Sequence, residues 1–469
     1  MVLLPWGLSR MTPPNAPETT LGGLAPLGGE RDTASSFPLA LESLQALHSQ
    51  GFRAYFVGGC VRDRLLGIVP HDFDIATNAR PADLLALFPD ALEVGASFGV
   101  VIRRKKSAEV QIATFRREGG YADGRRPDAV DFVDEPREDA ARRDFTINAL
   151  FEDPVSGEVL DFFQGREDLA ARCLRAVGDP HRRFQEDHLR MLRAVRFAAR
   201  FGLNLDAATA AAIRENAPQI VRISAERIRD EISRILVEGA AARGFALLDE
   251  LGLLDQILPE VKAMQGVEQP PQYHPEGDVW THTMLMLEML RQPPSLTQAL
   301  GVLFHDIGKP GTQTITDRIR FNGHVEEGVR IARAIMNRLR YSGEETTQVC
   351  ALVENHMKFM HLRDMRQSTR LRFLRMPLFD EHLELHRVDC LSSHRKLDNY
   401  DYAREELANL SAETLRPPPL LRGEDLMALG LKPGPQFRVI LTNLEDEQLE
   451  GRLVDKEEAL HWVRKHFSV

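Results

Sequence analysis

The sequence predicts an α+β protein whose first third is a mixed sheet with helices and whose remainder is all-helical. Short runs of β-branched and aromatic residues, separated by glycine, cluster between residues 53 and 133, as strands do. From residue 169 onward, apolar residues recur mainly at helical spacing. A chain of 469 residues is also too long for one core and predicts about three domains.

The first third supplies the predicted strands. A helix at residues 39–50 precedes a strand at 53–57, and Gly58 and Gly59 separate that strand from a helix at 60–66. The further predicted strands lie at residues 72–76, 99–104, 108–114 and 129–133.

The remainder supplies the predicted helices. An arginine-rich helix runs through residue 200, and later ones lie at residues 207–215, 225–237, 279–291, 296–304, 324–339, 344–356 and 379–410. Proline-bearing segments at residues 259–275 and 417–419 indicate boundaries. The resulting division is a disordered extension (1–37), an α/β unit (38–165), a helical unit (166–262), a second helical unit (270–410) and a helical tail (418–469).

Composition excludes several classes of protein. Hydrophobic residues make up 43% and charged residues 27%, which is ordinary for a soluble globular chain, and no apolar run approaches the roughly 20 residues of a bilayer-spanning helix. A net charge of −10 argues against coating nucleic acid by bulk electrostatics but allows a local basic groove. Four dispersed cysteines without a CxxC pair fit a reducing compartment. We therefore expect a cytoplasmic protein with no membrane partner.

The sequence from Gly58 to Asp74 predicts a phosphate and metal site. A strand, two glycines and a helix let the backbone approach an anion, and Arg62 in the first helical turn adds hydrogen-bond donors. Asp72 and Asp74 alternate along the next predicted strand and so project on one face. Two adjacent carboxylates are costly without a cation, and oxygen ligands suit Mg²⁺ shared with substrate phosphates.

Two later segments offer groups for a nucleotide. Arg142 and Arg143 precede a buried-looking strand, where they could hold a triphosphate or cap a surface edge. Glu186–Arg190 is expected to open a helix on which Arg190, Arg193, Arg196 and Arg200 share one side. Asp187, one turn before Arg190, supplies an acceptor beside those donors, so the pair could read a base edge.

Five motifs resemble, in their order along the chain, those of class II tRNA nucleotidyltransferases and bacterial poly(A) polymerases. They are GGCVRD, DFD, RRDFTINA, EDHLRMLRAVRFAAR and ISAERIRDEI. The resemblance implies a polymerase-β-like nucleotidyltransferase head followed by an all-α neck, body and small tail. It implies addition of CMP and AMP from CTP and ATP to the tRNA 3′ end, with release of pyrophosphate. By motif, Asp72 and Asp74 would hold the catalytic Mg²⁺, while Gly58, Gly59, Arg62 and Arg143 would bind nucleotide. Asp187 and Arg190 would pair with the incoming base, and Arg193 and Arg196 would complete the pocket.

Other activities remain open within this resemblance. A glycine-bearing loop at residues 115–127 is similar to the flexible loop of full CCA-adding members and argues against a CC-only enzyme. It leaves an A-adding enzyme or a poly(A) polymerase as alternatives. A further alternative is a metal-dependent phosphohydrolase whose head only binds nucleotide or RNA, and a non-catalytic RNA chaperone is the weakest. The chain could be a monomer or a homodimer, and its tail could contact tRNA or dimerise.

A second set of candidate metal ligands lies on the later predicted helices. Its members are His282, His305, Asp306, His324, His356 and Asp389. Their order resembles that of the HD phosphohydrolase superfamily, which implies an HD domain with a bound metal. Mixed imidazole and carboxylate ligands suit Mn, Fe, Co or Ni better than Mg²⁺ alone. The resemblance further implies phosphatase or 2′,3′-cyclic phosphodiesterase activity, to which Lys309 could contribute by binding phosphate.

Overall fold

The computed structural model of the chain describes residues 33–70, 72–94, 99–119 and 129–467. Its contacts divide the chain into two compact units. The first comprises Met1–Ser224 with Glu250–Gln256, and the second comprises Ala225–Asp249 with Ile257–Val469. The finer division into extension, head, neck, body and tail stays a prediction. Within the described residues, no helix is both long and apolar enough to cross a bilayer.

The strands of the first unit are short. They are β1 (Ala54–Val57), β2 (Asp74–Thr77), β3 (Ala91–Glu93), β4 (Val100–Lys105), β5 (Ala108–Thr114), β6 (Arg116–Gly119), β7 (Ala129–Phe132), β8 (Leu150–Glu152), β9 (Val159–Asp161), β10 (Cys173–Leu174) and β11 (Asn204–Leu205). Seven of them form one sheet in the spatial order β3-β4-β5-β2-β1-β8-β9. Because β2 and β5 are parallel while β1 pairs antiparallel with β2 and β8, the sheet is mixed. The predicted α+β fold class is confirmed.

Helices flank this sheet. They are α1 (Thr33–Ser49), α2 (Gly59–Leu65), α3 (Pro81–Leu87), α4 (Pro136–Ala141), α5 (Gly165–Ala170), α6 (Pro180–Glu186), α7 (Leu189–Arg200) and α8 (Ala207–Asn216). Aromatic side chains fill the space between sheet and helices: Phe151 packs edge-on against Phe115, at 6.1 Å between ring centroids, and Phe145 against Phe197 at 5.9 Å. The core therefore fixes both the strand ends and α7, the elements that carry the predicted nucleotide site.

The second unit is helical apart from one hairpin. Its helices, together with the segments that connect the units, are α9 (Ala225–Val237), α10 (Ala241–Glu250), α11 (Leu254–Ile257), α12 (Pro259–Lys262), α13 (Val279–Met289), α14 (Leu296–Phe304), α15 (Lys309–Thr312), α16 (His324–Arg338), α17 (Gly343–Asn355), α18 (Gln367–Leu374), α19 (Phe379–Ser392), α20 (Asp398–Asn409), α21 (Ala412–Leu415), α22 (Gly423–Ala428), α23 (Pro435–Leu449) and α24 (Lys456–His466). The hairpin pairs β12 (Gln313–Ile315) with β13 (Ile319–Phe321).

Several predicted boundaries were wrong. α1 begins at Thr33, inside the predicted disordered extension, and Phe37 packs against Phe73 at 5.3 Å between ring centroids. The predicted linker at residues 259–275 contains α12, because proline is compatible with the first turn of a helix. The predicted helix at residues 379–410 is two helices, α19 and α20. Residues 1–32 of the extension and 120–128 of the predicted loop lie outside the described residues.

Candidate functional site

The Gly58–Gly59 turn connects β1 to α2 as predicted. Gly58 has φ +74°, and a Cβ atom there would lie 3.1 Å from Nη1 of Arg143. Any other residue would therefore be strained and would displace this guanidinium. Because Phe56 pairs with Ile75 across the antiparallel strands, the start of β2 lies beside the end of β1. The turn, Arg143 and the first residue of β2 are thus brought together.

Asp72 and Asp74 form an acidic pair at this position. Both are exposed, whereas Phe73 between them is buried, so the two carboxylates share the solvent side. One detail of the prediction was wrong: β2 begins at Asp74, and Asp72 precedes the strand. Although Asp74 keeps an exposed surface, the surrounding protein partly desolvates its carboxyl and raises its pKa to about 6; Arg143 opposes the shift, and the Asp72 charge adds to it. Two neighbouring carboxylates that reach solvent are suitable ligands for a divalent cation that prefers oxygen atoms.

Arg62 is buried rather than presented to solvent. Its Nε and Nη2 donate to Oδ1 of Asp63 at 2.8 and 2.6 Å, and its Nη1 donates to Oδ1 of Asn148 at 2.7 Å. Its guanidinium lies 4.4 Å from the ring centroid of Phe201, which follows α7. With only 5% of its surface exposed, Arg62 acts mainly as a structural link in this state. Its predicted contact with nucleotide stays a prediction.

Asp144 and Asn148, which the sequence reasoning did not single out, continue this link to α7. Asn148 Nδ2 donates to Oδ1 of Asp144 at 3.0 Å, and Arg193 Nε and Nη2 donate to Oδ2 of Asp144 at 2.9 and 2.7 Å. Although burial opposes it, the Arg193 charge and these hydrogen bonds hold the pKa of Asp144 well below its usual range. Arg62, Asn148 and Asp144 form a continuous buried network, which the half-buried Arg193 extends to α7.

Asp139 holds the two adjacent arginines of the RRDFTINA motif. Its side chain is almost fully buried; Arg142 Nε donates to Oδ1 at 2.8 Å and Arg143 Nη2 to Oδ2 at 3.0 Å. The Arg143 guanidinium also lies 5.3 Å from the ring centroid of Phe151. Asp139 was also missed from the sequence; its position three and four residues before the arginines on a helix was the available signal. Arg143 is therefore held in place beside Asp74.

The helix that carries the predicted base-reading residues starts later than expected. Glu186 ends α6, Asp187 has an extended backbone, and α7 begins at Leu189. Oδ1 of Asp187 accepts a hydrogen bond from the Leu189 backbone N–H at 3.0 Å, which caps the new helix and orients the carboxylate. Arg190 Nη1 donates to Oε2 of Glu186 at 2.8 Å, and its Nη2 donates to the Arg142 carbonyl at 3.3 Å. Both residues are half-buried and close to the RRD motif.

Among the other arginines of α7, Arg196 is buried, whereas Arg193 and Arg200 are half-buried. Arg196 is 4% exposed and lies 4.5 Å from the ring centroid of Phe197, while Arg193 lies 5.2 Å from the same centroid. The opposite side of α7 carries Met191 and Val195, which are fully buried. The apolar side of α7 is therefore packed into the core, while its arginine side stays partly open to solvent.

The second unit brings the predicted HD residues together. Nδ1 of His305, His324 and His356 hydrogen-bonds a backbone carbonyl oxygen at 2.8, 2.8 and 2.7 Å respectively. Such bonds place the proton on Nδ1 and leave the Nε2 lone pair available to a metal. In each of these residues Nε2 is buried and has no hydrogen-bond partner in the structure. These orphaned acceptors fit a bound metal ion.

Asp306 lies at the centre of the HD cluster. Its Oδ2 lies 3.1 Å from Nε2 of His305, and its Oδ1 lies 3.8 Å from Nε2 of both His324 and His356. Lys309 Nζ contacts Oδ2 at 2.6 Å. Although burial opposes it, the Lys309 and His305 charges hold the pKa of Asp306 well below its usual range. Burial lowers the pKa of His356 to about 4, so that imidazole is neutral at pH 7, as a ligand must be.

His282 and Asp389 complete the set, and Glu276 supports it. Nε2 of His282 lies 3.2 Å from Oδ1 of Asp389, while its Nδ1 lies 2.6 Å from Oε1 of Glu276. Against the effect of burial, the hydrogen bonds to Asp389 and Glu276 raise the pKa of His282 to about 9. His274 shares the same Glu276 oxygen at 2.9 Å. His274 was missed because it falls in the predicted linker at residues 259–275, and Glu276 because it lies between that linker and the predicted helix at residues 279–291; their spacing before His282 was the available signal.

A cavity of about 820 Å³ opens onto the cluster. Lys309, His324 and Asp389 line it together with Arg318 and Arg320 of the β12–β13 hairpin. Positive charge beside potential metal ligands suits a phosphate ester.

Three family models match the chain. They are "Poly A polymerase head domain" over residues 54–175, "Probable RNA and SrmB- binding site of polymerase A" over residues 202–265, and "HD domain" over residues 278–376. The first contains the Gly58–Gly59 turn and the acidic pair, and the third contains all HD residues except Asp389. Residues 54–265 of the chain thus carry a poly(A) polymerase head and its RNA-binding segment, and residues 278–376 carry an HD domain.

Curated relatives of this chain include CCA-adding enzymes. A CCA-adding enzyme of Geobacillus stearothermophilus is 46% identical over 217 residues, which are 46% of this chain and 54% of the relative. One from Limosilactobacillus reuteri is 48% identical over 203 residues, 43% of this chain and 50% of the relative. The chain thus spans about half the length of the curated relatives it matches.

A solved structure extends the similarity along the chain. The crystal structure of the Bacillus stearothermophilus CCA-adding enzyme in complex with CTP superposes with a TM-score of 0.70 at 27% identity. The alignment covers 92% of this chain and 99% of that one. The fold therefore follows this family member through both units.

Proposed function

We propose that the chain adds CMP and AMP to the 3′ end of tRNA, using CTP and ATP and releasing pyrophosphate. The observation that carries the proposal is the acidic pair Asp72–Asp74 beside the Gly58–Gly59 turn and Arg143. The names of the relatives and the CTP complex of the similar structure support the choice of substrates. We propose a cytoplasmic location on the same grounds, whereas monomer and homodimer both stay open.

The residues of the head would each contribute to one reaction. The 3′-hydroxyl oxygen of the RNA attacks the α-phosphorus, the bond to the β-phosphate oxygen breaks, and pyrophosphate leaves. Asp72 and Asp74 would hold Mg²⁺, which when bound supplies positive charge to the attacking hydroxyl and the leaving pyrophosphate. Arg143, held by Asp139, would face the triphosphate. The glycine turn would let the backbone N–H groups approach it.

Base selection would lie at the start of α7. The Asp187 carboxylate can accept from the exocyclic amine of cytosine or adenine, and the Arg190 guanidinium can donate to a ring acceptor. Uracil and guanine present the wrong edge to the carboxylate and would leave buried groups unpaired. The bond from Leu189 N–H to Asp187 and the ion pair of Arg190 with Glu186 support fixed orientations for both side chains.

The products from two tRNA substrates test the proposal. Purified protein is incubated with Mg²⁺, labelled CTP or ATP, and tRNA that lacks CCA or ends in CC. Incorporation of both nucleotides supports CCA addition. AMP on tRNA-CC alone would indicate an A-adding enzyme, and long A tracts on varied RNAs a poly(A) polymerase. A failure to incorporate either nucleotide would overturn the proposal.

The HD cluster supports a second function, hydrolysis of a phosphate monoester or 2′,3′-cyclic phosphate. The observation that favours it is the set of unpartnered Nε2 atoms around Asp306. We propose that this set holds Mn, Fe, Co or Ni, which when bound supplies a Lewis acid for phosphoester hydrolysis. Release of phosphate from a tRNA fragment ending in a 3′-phosphate tests this activity. A chain that incorporates CMP and AMP but releases no phosphate and binds no metal would refute only this second function.

A further inference from the structure

Three large apolar side chains line the HD cavity. They are Tyr273, Met357 and Met360, which expose 60%, 38% and 57% of their surface. Large apolar side chains left in water at the opening of a polar cavity are costly, and neither core packing nor metal binding accounts for them. We call these three residues the apolar wall.

The same cavity also has cationic lining residues. Lys309 is fixed by Oδ2 of Asp306 and by Oε1 of Gln269 at 2.7 Å. Arg320 on β13 is held by Asp317, with Nη1 at 2.7 Å from Oδ1, and Arg318 beside it is exposed. These charges, together with the HD cluster, match a phosphate group. A small phosphate ester bound by these groups would leave the apolar wall in water.

The tyrosine of the wall sits on a preformed turn. The backbone N–H groups of Tyr273 and His274 both donate to the carbonyl oxygen of Pro270 at 3.0 Å, and Pro271 restricts the same turn. His274 is tied to Glu276, which also holds His282. Tyr273 is therefore anchored to the HD cluster through its neighbours, so that ordering it on binding costs little entropy.

We propose that the apolar wall binds the nucleobase of a terminal nucleotide whose phosphate lies at the HD cluster. This inference rests on the hydrolytic function proposed above and narrows its substrates from phosphate esters in general to nucleotides. Stacking on the Tyr273 ring needs only the π face that every base has, and thioethers of methionine adapt to varied shapes. The site therefore accepts adenosine and cytidine nucleotides with similar affinity.

Equilibrium binding to the full-length protein tests the wall directly. Adenosine 3′-phosphate, cytidine 3′-phosphate and glycerol 2-phosphate are titrated into the wild type, Tyr273→Ala and Tyr273→Phe. We expect Tyr273→Ala to weaken binding of both nucleotides about tenfold and that of glycerol 2-phosphate less than about twofold. Tyr273→Phe keeps the ring and the wild-type affinities. Any binding of nucleotide to the head contributes equally in all three proteins. Because Tyr273 is exposed, its substitution does not put folding at risk.

The outcomes separate this inference from the function on which it rests. Unchanged nucleotide affinity in Tyr273→Ala would overturn the proposal that the apolar wall binds the nucleobase. An equal loss of affinity for glycerol 2-phosphate would overturn it too. Wild-type protein that binds no 3′-nucleotide above the glycerol 2-phosphate level overturns it as well. Failure of the wild type to hydrolyse adenosine 2′,3′-cyclic phosphate would contradict the proposed hydrolytic function only. The proposal for the apolar wall would stand, because the difference in binding is measured without turnover.

Discussion

Asn148 Oδ1 accepts a hydrogen bond from Arg62 Nη1 at 2.7 Å, which joins the helix after the glycine turn to the RRDFTINA motif. Through Asp144 the same amide reaches Arg193 on α7. The elements that carry the acidic pair and the base-reading residues are thus connected by buried polar groups with few alternative partners. A change at any of them should affect both stability and nucleotide transfer.

Asn148→Ala tests this network. The substitution removes one hydrogen bond from Arg62, which keeps Asp63, and one from Asp144, which keeps Arg193. Because both lost bonds lie in a buried site, we expect the free energy of unfolding to fall by about 1–3 kcal/mol. Denaturant unfolding and the rate of CMP transfer measure the two effects. Asn409→Ala, at an exposed position on α20, is the matched control and should be neutral. Wild-type stability in Asn148→Ala would contradict the structural role.

Asp74→Asn should raise the stability of the metal-free protein while it abolishes nucleotide transfer. Because the folded protein raises the pKa of Asp74 to about 6 from an ordinary value of 3.8, the folded state binds more protons than the unfolded state between those values. This carboxyl therefore favours folding at low pH, and its contribution is lost as pH rises towards 6. Without metal at pH 7.5, we expect Asp74→Asn to melt at a higher temperature than wild type.

The same variant should lose its response to Mg²⁺. At 100 times its dissociation constant, a ligand stabilises the folded state by about 2.7 kcal/mol, so Mg²⁺ should raise the melting temperature of the wild type. Asp74→Asn should gain much less and should transfer no nucleotide. Equal Mg²⁺ stabilisation of the two proteins would place the metal elsewhere.

Asp187→Ala should change nucleotide choice more than RNA binding. Loss of the acceptor removes one hydrogen bond that uracil cannot make, so we expect the preference for CTP over UTP to fall about tenfold or more. Single-turnover incorporation and filter binding of tRNA measure the two quantities. Asp134→Ala, which changes an exposed carboxylate paired with Arg80, is the control. An unchanged preference with weakened tRNA binding would refute the base-reading role.

His305→Ala should remove metal from the second unit without affecting transfer. Elemental analysis of the purified wild type should find Mn, Fe, Co or Ni, and a chelator should lower its melting temperature by on the order of 5 °C. His305→Ala should lack both the metal and the chelator effect. His361→Ala, an exposed histidine nearby in sequence, should behave as wild type. Metal at full occupancy in His305→Ala would show that the ligand set is wrong.

The sequence was most informative where a residue type has few structural uses. Paired glycines between a strand and a helix, followed by two alternating aspartates, predicted the turn and the acidic pair. The order of histidines and aspartates predicted a cluster whose members the structure does bring together around Asp306. Helices with clear apolar periodicity, such as α9 and α14, matched their predicted residues.

The sequence was least informative where function depends on contacts between distant residues. Asn148 lies inside a motif that was noticed, yet an uncharged amide gives no pattern, and only the fold shows that it reaches Arg62. Glu276, between the predicted linker and the next predicted helix, was not singled out, although it orients His282. The break at Asp187 was missed because arginines continue on both sides of it, while the side-chain bond to Leu189 N–H starts a new helix there.

The most direct test compares wild type, Asp72→Ala and His305→Ala in one experiment, with tRNA lacking CCA, Mg²⁺ and labelled CTP and ATP. Two cytidines and one adenosine should be added by wild type and by His305→Ala, whereas Asp72→Ala should be at least about a thousandfold slower because it lacks a ligand for the ions that stabilise the transition state. Addition at the wild-type rate by Asp72→Ala, or loss of addition in His305→Ala alone, would contradict the assignment of transfer to the head.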